Sequence, residues 1–511
     1  MLTCRKLGER FLWVDSLCIM QDSRDKHDLI RQMDLVYQRA KLTIIAAHGT
    51  DAGAGLPGVR EGSRPILQHI AKVRSMRLAN VLPGLDSSVD STFWNTRAWT
   101  YQERLLSARR LYFTKNQVFF ECNHGEFRED MSIDPHAETM PGVVDYGARS
   151  GLRGGTGYRI VSHKTLNLDI YDQIISEYTS RSLSYQEDIL NALQGVTNIL
   201  SRDLFNNSPF IFGVPLCLLD LGLLWQPAGL LRRRCRSVHS ERHFPSWSWT
   251  GWVGRFETDW WGNISERTIS RAVWLNTASP NLPIERECTG NPNSSWTGWD
   301  LWKRNIDANQ VVYYTRKGGE ADKWFCHPIL DQVDCQSSPL NLESGYLNLR
   351  AETAQLTVNS IHSLRKWSQS PTCEEGIHEK CELSVFDSDG VPAGIVYVDG
   401  NTFRRLQPGR YNFVKLSQTT LAHADSDPAW DEETESYAGR PGGLPLNHRP
   451  PLDAEDEIFD QTRYDLNICW CLYNVLMVEW QDGVAYRIGI GQVHIHAFDA
   501  ASPKWHKMML G

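Results

Sequence analysis

Two short apolar runs flank an amphipathic stretch near the N-terminus, and this pattern constrains the fold most. "FLWVD" at 11–15 and "LTIIAA" at 42–47 each read as a buried strand. Between them, "DSRDKHDLIRQMDLVYQRAK" places Leu29, Ile30, Met33, Val36, Tyr37 and Ala40 at helical spacing. Asp22 or Ser23 can cap that helix, and Asp25 adds negative charge to its first turn, where the helix dipole favours it. Strand, helix, strand is a βαβ unit, whose crossover is right-handed and whose strands are parallel. The carboxyl ends of parallel strands share one sheet edge, where open α/β sheets bind ligands. Asp15 to Gln21 and the loop "HGTDAGAGLPG" at 48–58 are therefore expected to face one crevice.

The next ordered pattern is "FWNTRAWTYQERLLSARRLYFTKNQVFFEC" at 93–122. Residues 97–107 suit a helix, and "RLYFT" with "QVFFEC" suits a hairpin turning at Lys115–Asn116. On a helical wheel Ala98, Trp99, Leu105 and Leu106 form the apolar face. Gln102 falls in its middle and Glu103 at its margin. Trp94 and Trp99 are expected to be buried, with Gln102 hydrogen-bonded in the same layer.

Five glycines in 147–157 mark a linker, and two helices follow it. The second is expected to start at a capping box, Ser184 to Glu187. From about 243 the signals turn to strands. "SWSWTGW" alternates Trp247 and Trp249 onto one face. "VLMVEWQDGVAYRIGIG" reads as a hairpin with Asp482–Gly483 at its turn. The chain thus divides into an α/β domain with its following hairpin over 1–135, a linker and helical connector over 136–205, and a β-rich α+β region over 206–511.

The formal charge of −8 is uneven. Between Asp425 and Asp460 lie 11 acidic residues and 2 arginines, and this Pro/Gly-rich stretch over 424–460 reads as a disordered insertion. The remainder is almost neutral, so the chain lacks the concentrated positive face that nucleic acid requires. The opening "MLTCRKLGER" lacks an apolar signal segment, and no apolar run is long enough to span a bilayer. The 12 cysteines, with no CxxC pair, read as reduced thiols of a cytoplasmic protein with no membrane partner.

The strings "FLWVDSLCIMQDSRDKHDLIRQMDLVYQRAKLTIIAAHGTDAGAGLPG" and "FWNTRAWTYQERLLSARRLYF" resemble the HET (heterokaryon incompatibility) domain family of filamentous fungi. Shorter echoes occur in "SRSLSYQEDILNALQGV", "FPSWSWTGW" and "YNVLMVEWQDGVAYRIGIGQV". The family's opening strand, with its Leu-Ser-Tyr-x-Trp-Gly-like motif, has no counterpart here. The resemblance therefore implies a TIR/flavodoxin-like parallel sheet truncated at its N-terminus, with its first strand missing. It also implies a role in non-self recognition and programmed cell death, exercised through a protein partner or self-association. The TIR analogy adds an alternative, a nucleotide-binding enzyme that cleaves NAD. A degenerate, inactive relative is the third reading.

Candidate chemistry rests on few residues. Asp15 reads either as a strand-end residue capping the next turn or as a carboxylate on the crevice. Glu103, at the margin of an apolar helix face, can serve in acid–base chemistry or simply pair with Arg97 or Arg104. In the enzyme reading these two carboxylates are catalytic, and Gln21, Asp51, Gly53 and Gly55 contact the nucleotide. The same glycines equally suit a tight loop, since the GK[ST] ending of a P-loop is absent. Cys18 is a nucleophile only if His48 reaches it. Cys326, His327, Cys335, Cys373, His378 and Cys381 lack zinc-finger spacing, so no metal site is assigned.

Overall fold

The computed structural model describes residues 1–20, 22–24, 29–30, 32–64, 68–122, 125–130, 165–166, 168–205, 207–216, 219–234, 244–257, 268–270, 272–274, 299–306, 309–316, 324–325, 340–341, 345–359, 364–366, 379–419, 430–431, 436–437, 458–466 and 471–511. Most of the acidic stretch 424–460 lies outside these residues, as do all of the cysteines and histidines weighed as metal ligands except Cys381. The chain divides into two compact units, Met1–Ser162 with Arg181–Leu200, and His163–Ser180 with Ser201–Gly511.

The first unit is built on a four-stranded mixed sheet. Its helices are α1 (Leu2–Lys6), α2 (Asp15–Cys18), α3 (Met33–Arg39), α4 (Leu85–Val89), α5 (Phe93–Thr96), α6 (Trp99–Leu106) and α7 (Gln194–Ile199). Its strands are β1 (Thr43–Ala46), the separate hairpin β2 (Ile70–Val73) and β3 (Met76–Ala79), and β4 (Arg109–Phe113), β5 (Val118–Cys122) and β6 (Gly125–Arg128). The sheet order is β1–β4–β5–β6. Only β1 and β4 are parallel; β4, β5 and β6 form an antiparallel meander.

Here the structure corrects the opening expectation. Residues 11–14 are not a strand. Phe11 is 86% exposed, and the helix α2 begins directly at Asp15. The parallel neighbour of β1 is β4, with Thr43 opposite Arg110 and Ala46 opposite Phe113. A short unbroken apolar run carries no period, so it does not by itself select a strand. β4 has the clearer signal, since it alternates into the core and is fixed by the hairpin after it.

One face of this sheet packs Ile45, Tyr112 and Phe119 against Leu85, Val89 and Trp94. Arg110 lies in the sheet with Glu121 opposite it, both 1% exposed. Its Nε donates to Glu121 Oε2 at 2.7 Å, and its Nη1 donates to the Arg104 and Ser107 carbonyls. Those carbonyls end α6 and have no partner within the helix, so a buried cation there satisfies them. Tyr112 donates its hydroxyl to the same Glu121 oxygen at 2.7 Å.

The helices α3, α6 and α7 form a second layer. Gln102 is buried in it, as expected, but neither its amide nitrogen nor its oxygen has a hydrogen-bond partner among the described residues. Gly195 explains the tight fit. A Cβ there would stand 2.7 Å from Gln102 Oε1 and 3.1 Å from the Asp34 amide nitrogen. Trp94 is buried, whereas Trp99 is only half-buried. The capping box at Ser184 is not formed: the segment enters as a 3₁₀ turn at Gln186 without a side-chain cap.

In the second unit β7 (Tyr346–Asn359), β8 (Glu379–Phe386), β9 (Pro392–Val398), β10 (Gly409–Thr419), β11 (Leu472–Gln481) and β12 (Val484–His494) close a barrel. The pairings run β7–β10–β11–β12–β9–β8 and back to β7, every one antiparallel. Closure removes sheet edges. Leu356, Val385, Phe413, Val475 and Met477 fill the interior. Asp482 and Gly483 both take positive φ at the β11–β12 turn, as the sequence led us to expect.

The "SWSWTGW" stretch is mostly a turn and a 3₁₀ segment, Trp249–Gly251, with only Trp252 opening a two-residue strand, Trp252–Val253. Its tryptophans are buried and each indole N–H is satisfied. Trp247 donates to the Gly345 carbonyl at 3.0 Å, Trp249 to the Tyr171 hydroxyl at 3.3 Å and Trp252 to the Ser246 carbonyl at 2.9 Å. Arg487 lies over Trp225, 3.5 Å from the ring centroid, and donates to the Leu223 and Trp225 carbonyls. Burial alone lowers its pKa well below the ordinary guanidinium range. These contacts read as structure: aromatic rings and a cation tie loops to the barrel wall.

Candidate functional site

The arrangement in the first unit that most resembles a chemical site centres on Glu103. Helix α6 carries it on the side facing α3. Trp94, from α5, donates its indole N–H to Glu103 Oε2 at 3.4 Å, and the Tyr37 hydroxyl of α3 hydrogen-bonds the same carboxyl. Thr100 holds α5 against α6 by donating to the Trp94 carbonyl at 2.7 Å. The Trp94 ring stands edge-on to Tyr112 at 6.4 Å, and the Tyr37 ring edge-on to Trp13 at 6.4 Å.

Burial pushes the Glu103 carboxyl up to about 7, against the Trp94 hydrogen bond, the Arg97 charge and the Tyr37 hydroxyl. The Asp15 carboxylate adds to that rise. Burial likewise raises the Tyr37 hydroxyl, with the charges of Glu103 and Asp15 adding to it. Glu103 is therefore poised between acid and carboxylate near neutral pH, the condition for general acid–base work.

The structure thus brings Asp15 and Glu103 within electrostatic reach, but by another route than expected. Asp15 stands exposed in the first turn of α2, where its Oδ1 accepts the Ser16 amide at 2.6 Å. Helices α3 and α6 both end at the amino edge of the sheet, leading into β1 and β4. The loop 48–58 leaves the opposite, carboxyl edge, with the His48 amide donating to the Phe113 carbonyl. Within that loop Asp51 Oδ1 accepts the Gly53 amide at 2.6 Å, and Gly55 takes a positive φ. Asp51, Gly53 and Gly55 are all exposed, and none is among the groups that act on Glu103. Gln21 lies outside the described residues. Cys18 is an exposed free thiol. No group of three or more His, Cys, Asp or Glu among the described residues is arranged to hold a metal ion.

Sequence reasoning missed Tyr37 and Trp94 as partners of Glu103. Both were legible only as members of apolar faces. It also missed the Arg110–Glu121 pair, although the turn at 114–117 fixes the register that sets them opposite each other.

A second feature belongs to the opening segment. Large apolar side chains of the opening segment stand in solvent: Phe11 at 86%, Leu17 at 74% and Met20 at 72% exposed. Single exposed apolar residues are ordinary on a protein surface; several within one short segment are less so. In the second unit, a small cleft is lined by Trp225, Pro227, Leu231, Trp252, Tyr397 and Arg487 among others. None of the candidate residues Asp15, Asp51, Gly53, Gly55 and Glu103 borders it.

Among known families, residues 1–103 match the one described as heterokaryon incompatibility protein (HET). No curated protein and no solved structure matches the chain. No helix among the described residues is long and apolar enough to cross a membrane.

Proposed function

We propose that the chain acts in fungal non-self recognition and cell-death signalling, through protein contacts made by the exposed apolar segment of its HET domain. The observation that carries this reading is the exposure of Phe11, Leu17 and Met20 within the family-matched residues. Burying such side chains against a partner is worth about 1.5–3 kcal/mol each, enough for a few to dominate an interface. The test is affinity capture from a fungal host, with the wild type against a Phe11→Ser, Leu17→Ser variant. Partners retained equally by both would end the proposal.

A second reading, acid–base chemistry on a nucleotide such as NAD, is favoured by one observation, the Glu103 carboxyl near pH 7 beside Asp15. A TIR/flavodoxin-like ancestry would fit it. Against it stands the loop 48–58, whose glycines and Asp51 close on themselves rather than joining the Glu103 cluster. Purified wild type and Glu103→Gln incubated with NAD separate the two readings. Turnover abolished by the substitution would establish the enzyme.

A further inference from the structure

The hairpin β2–β3 stands apart from both sheets, and every residue from Ile70 to Ala79 is exposed. A lone two-stranded hairpin is marginal in water, so this one needs another source of stability or a partner. Its base is tied down: the Asn80 side chain accepts the His69 amide, and the Asn80 amide donates to the His69 carbonyl.

The register sorts its side chains. Ala71 faces Leu78 and Val73 faces Met76, so one face is wholly apolar. Lys72 faces Arg77 on the other, a like-charge pair that is unfavourable directly across strands. A third cation, Arg74, occupies the turn with φ at +57°, a conformation that disfavours a side chain bearing a Cβ. No acidic residue occurs between Glu61 and Asp86. Among the described residues, none of the three cations has an acidic partner. The hairpin therefore combines a bare apolar face with uncompensated positive charge.

We propose that the β2–β3 hairpin docks the protein onto an anionic lipid surface. Ala71, Val73, Met76 and Leu78 would enter the headgroup boundary, while Lys72, Arg74 and Arg77 reach lipid phosphates by extending their long stems. Size decides for lipid over protein. A standard protein interface engages about 20–30 residues a side, far more than this projecting element offers. Insertion of a short apolar tip beside cations needs no shaped counterpart. Self-pairing through the hairpin would stack like charges. Lying on a membrane in this way is distinct from spanning one.

The test is co-sedimentation of the full chain with phosphatidylcholine vesicles, with and without phosphatidylserine. Binding is expected only to the anionic vesicles and should weaken with salt. Neutralising Lys72, Arg74 and Arg77 to Gln should reduce it about fivefold per cation, roughly 100-fold for all three. Val73→Ser with Leu78→Ser should weaken it at unchanged charge. Trypsin gives a readout free of substitutions: cleavage after Lys72, Arg74 and Arg77 should slow when anionic vesicles are added. No binding to phosphatidylserine vesicles, binding indifferent to these variants, or unprotected cleavage each overturns the proposal. So does hairpin-dependent capture on immobilised polyglutamate without vesicle binding, which would point to an acidic protein.

Discussion

The two units solve the same problem, satisfying sheet edges and apolar surface, in opposite ways. The second closes its strands into a barrel and seals it with tryptophans whose indole N–H groups are all bonded. The first leaves β1 paired on one side only, projects a bare hairpin and keeps Phe11, Leu17 and Met20 in water. Among the described residues, buried polar atoms without a hydrogen-bond partner occur in both units, Gln102 and Glu121 Oε1 in the first and Gln226 in the second. Stability resides where surfaces are closed. The open surface of the first unit is where the proposed partner contacts would be made.

The comparison can be broken at its strongest points. In the first unit, Arg110→Met leaves Glu121 buried without its cation and should cost about 3–5 kcal/mol in denaturant unfolding. Adding Glu121→Leu should recover most of that loss; a double variant as weak as the single would show that the pair is not the cause. In the second unit, Trp247→Ala should also cost about 3–5 kcal/mol, since the ring is fully buried. A loss below about 1 kcal/mol would deny the tryptophan seal its role.

A subtler effect attends Glu103. Its carboxyl ionises near 4.5 in the unfolded chain but only about 7 in the fold. The folded state therefore holds the proton more tightly, and stability falls as pH rises through that window. Glu103→Gln should match the wild type near pH 5 and exceed it near pH 8. Equal melting temperatures at both values would mean that the carboxyl is not buried as described. Smallest of all, Phe11→Ser or Leu17→Ser should change stability by no more than about 0.5 kcal/mol, because neither side chain is in the core.

These contrasts explain what was legible in the sequence. The Asp482–Gly483 hairpin and the helix around Gln102 were readable because turn chemistry and periodicity are local. The β4–β5 hairpin was readable for the same reason, and its register would also have yielded Arg110 opposite Glu121. The run at 11–14 misled because a short apolar run looks alike whether it enters a core or lies at the surface. Tyr37 and Trp94 could not be joined to Glu103 from sequence, since tertiary packing alone brings three separate helices to one carboxyl. The alternation of Trp247 and Trp249 suggested a strand face, but it is met by a turn and a 3₁₀ segment whose indoles bond the Gly345 carbonyl and the Tyr171 hydroxyl.

The most direct test of the open-surface account is viability of a fungal host expressing the full chain, with NAD level followed in the same cultures. The wild type should kill, Phe11→Ser with Leu17→Ser should be folded and harmless, and Glu103→Gln should kill without any change in NAD. A harmless wild type, a lethal double-serine variant, or death that disappears with Glu103→Gln while NAD recovers would contradict it.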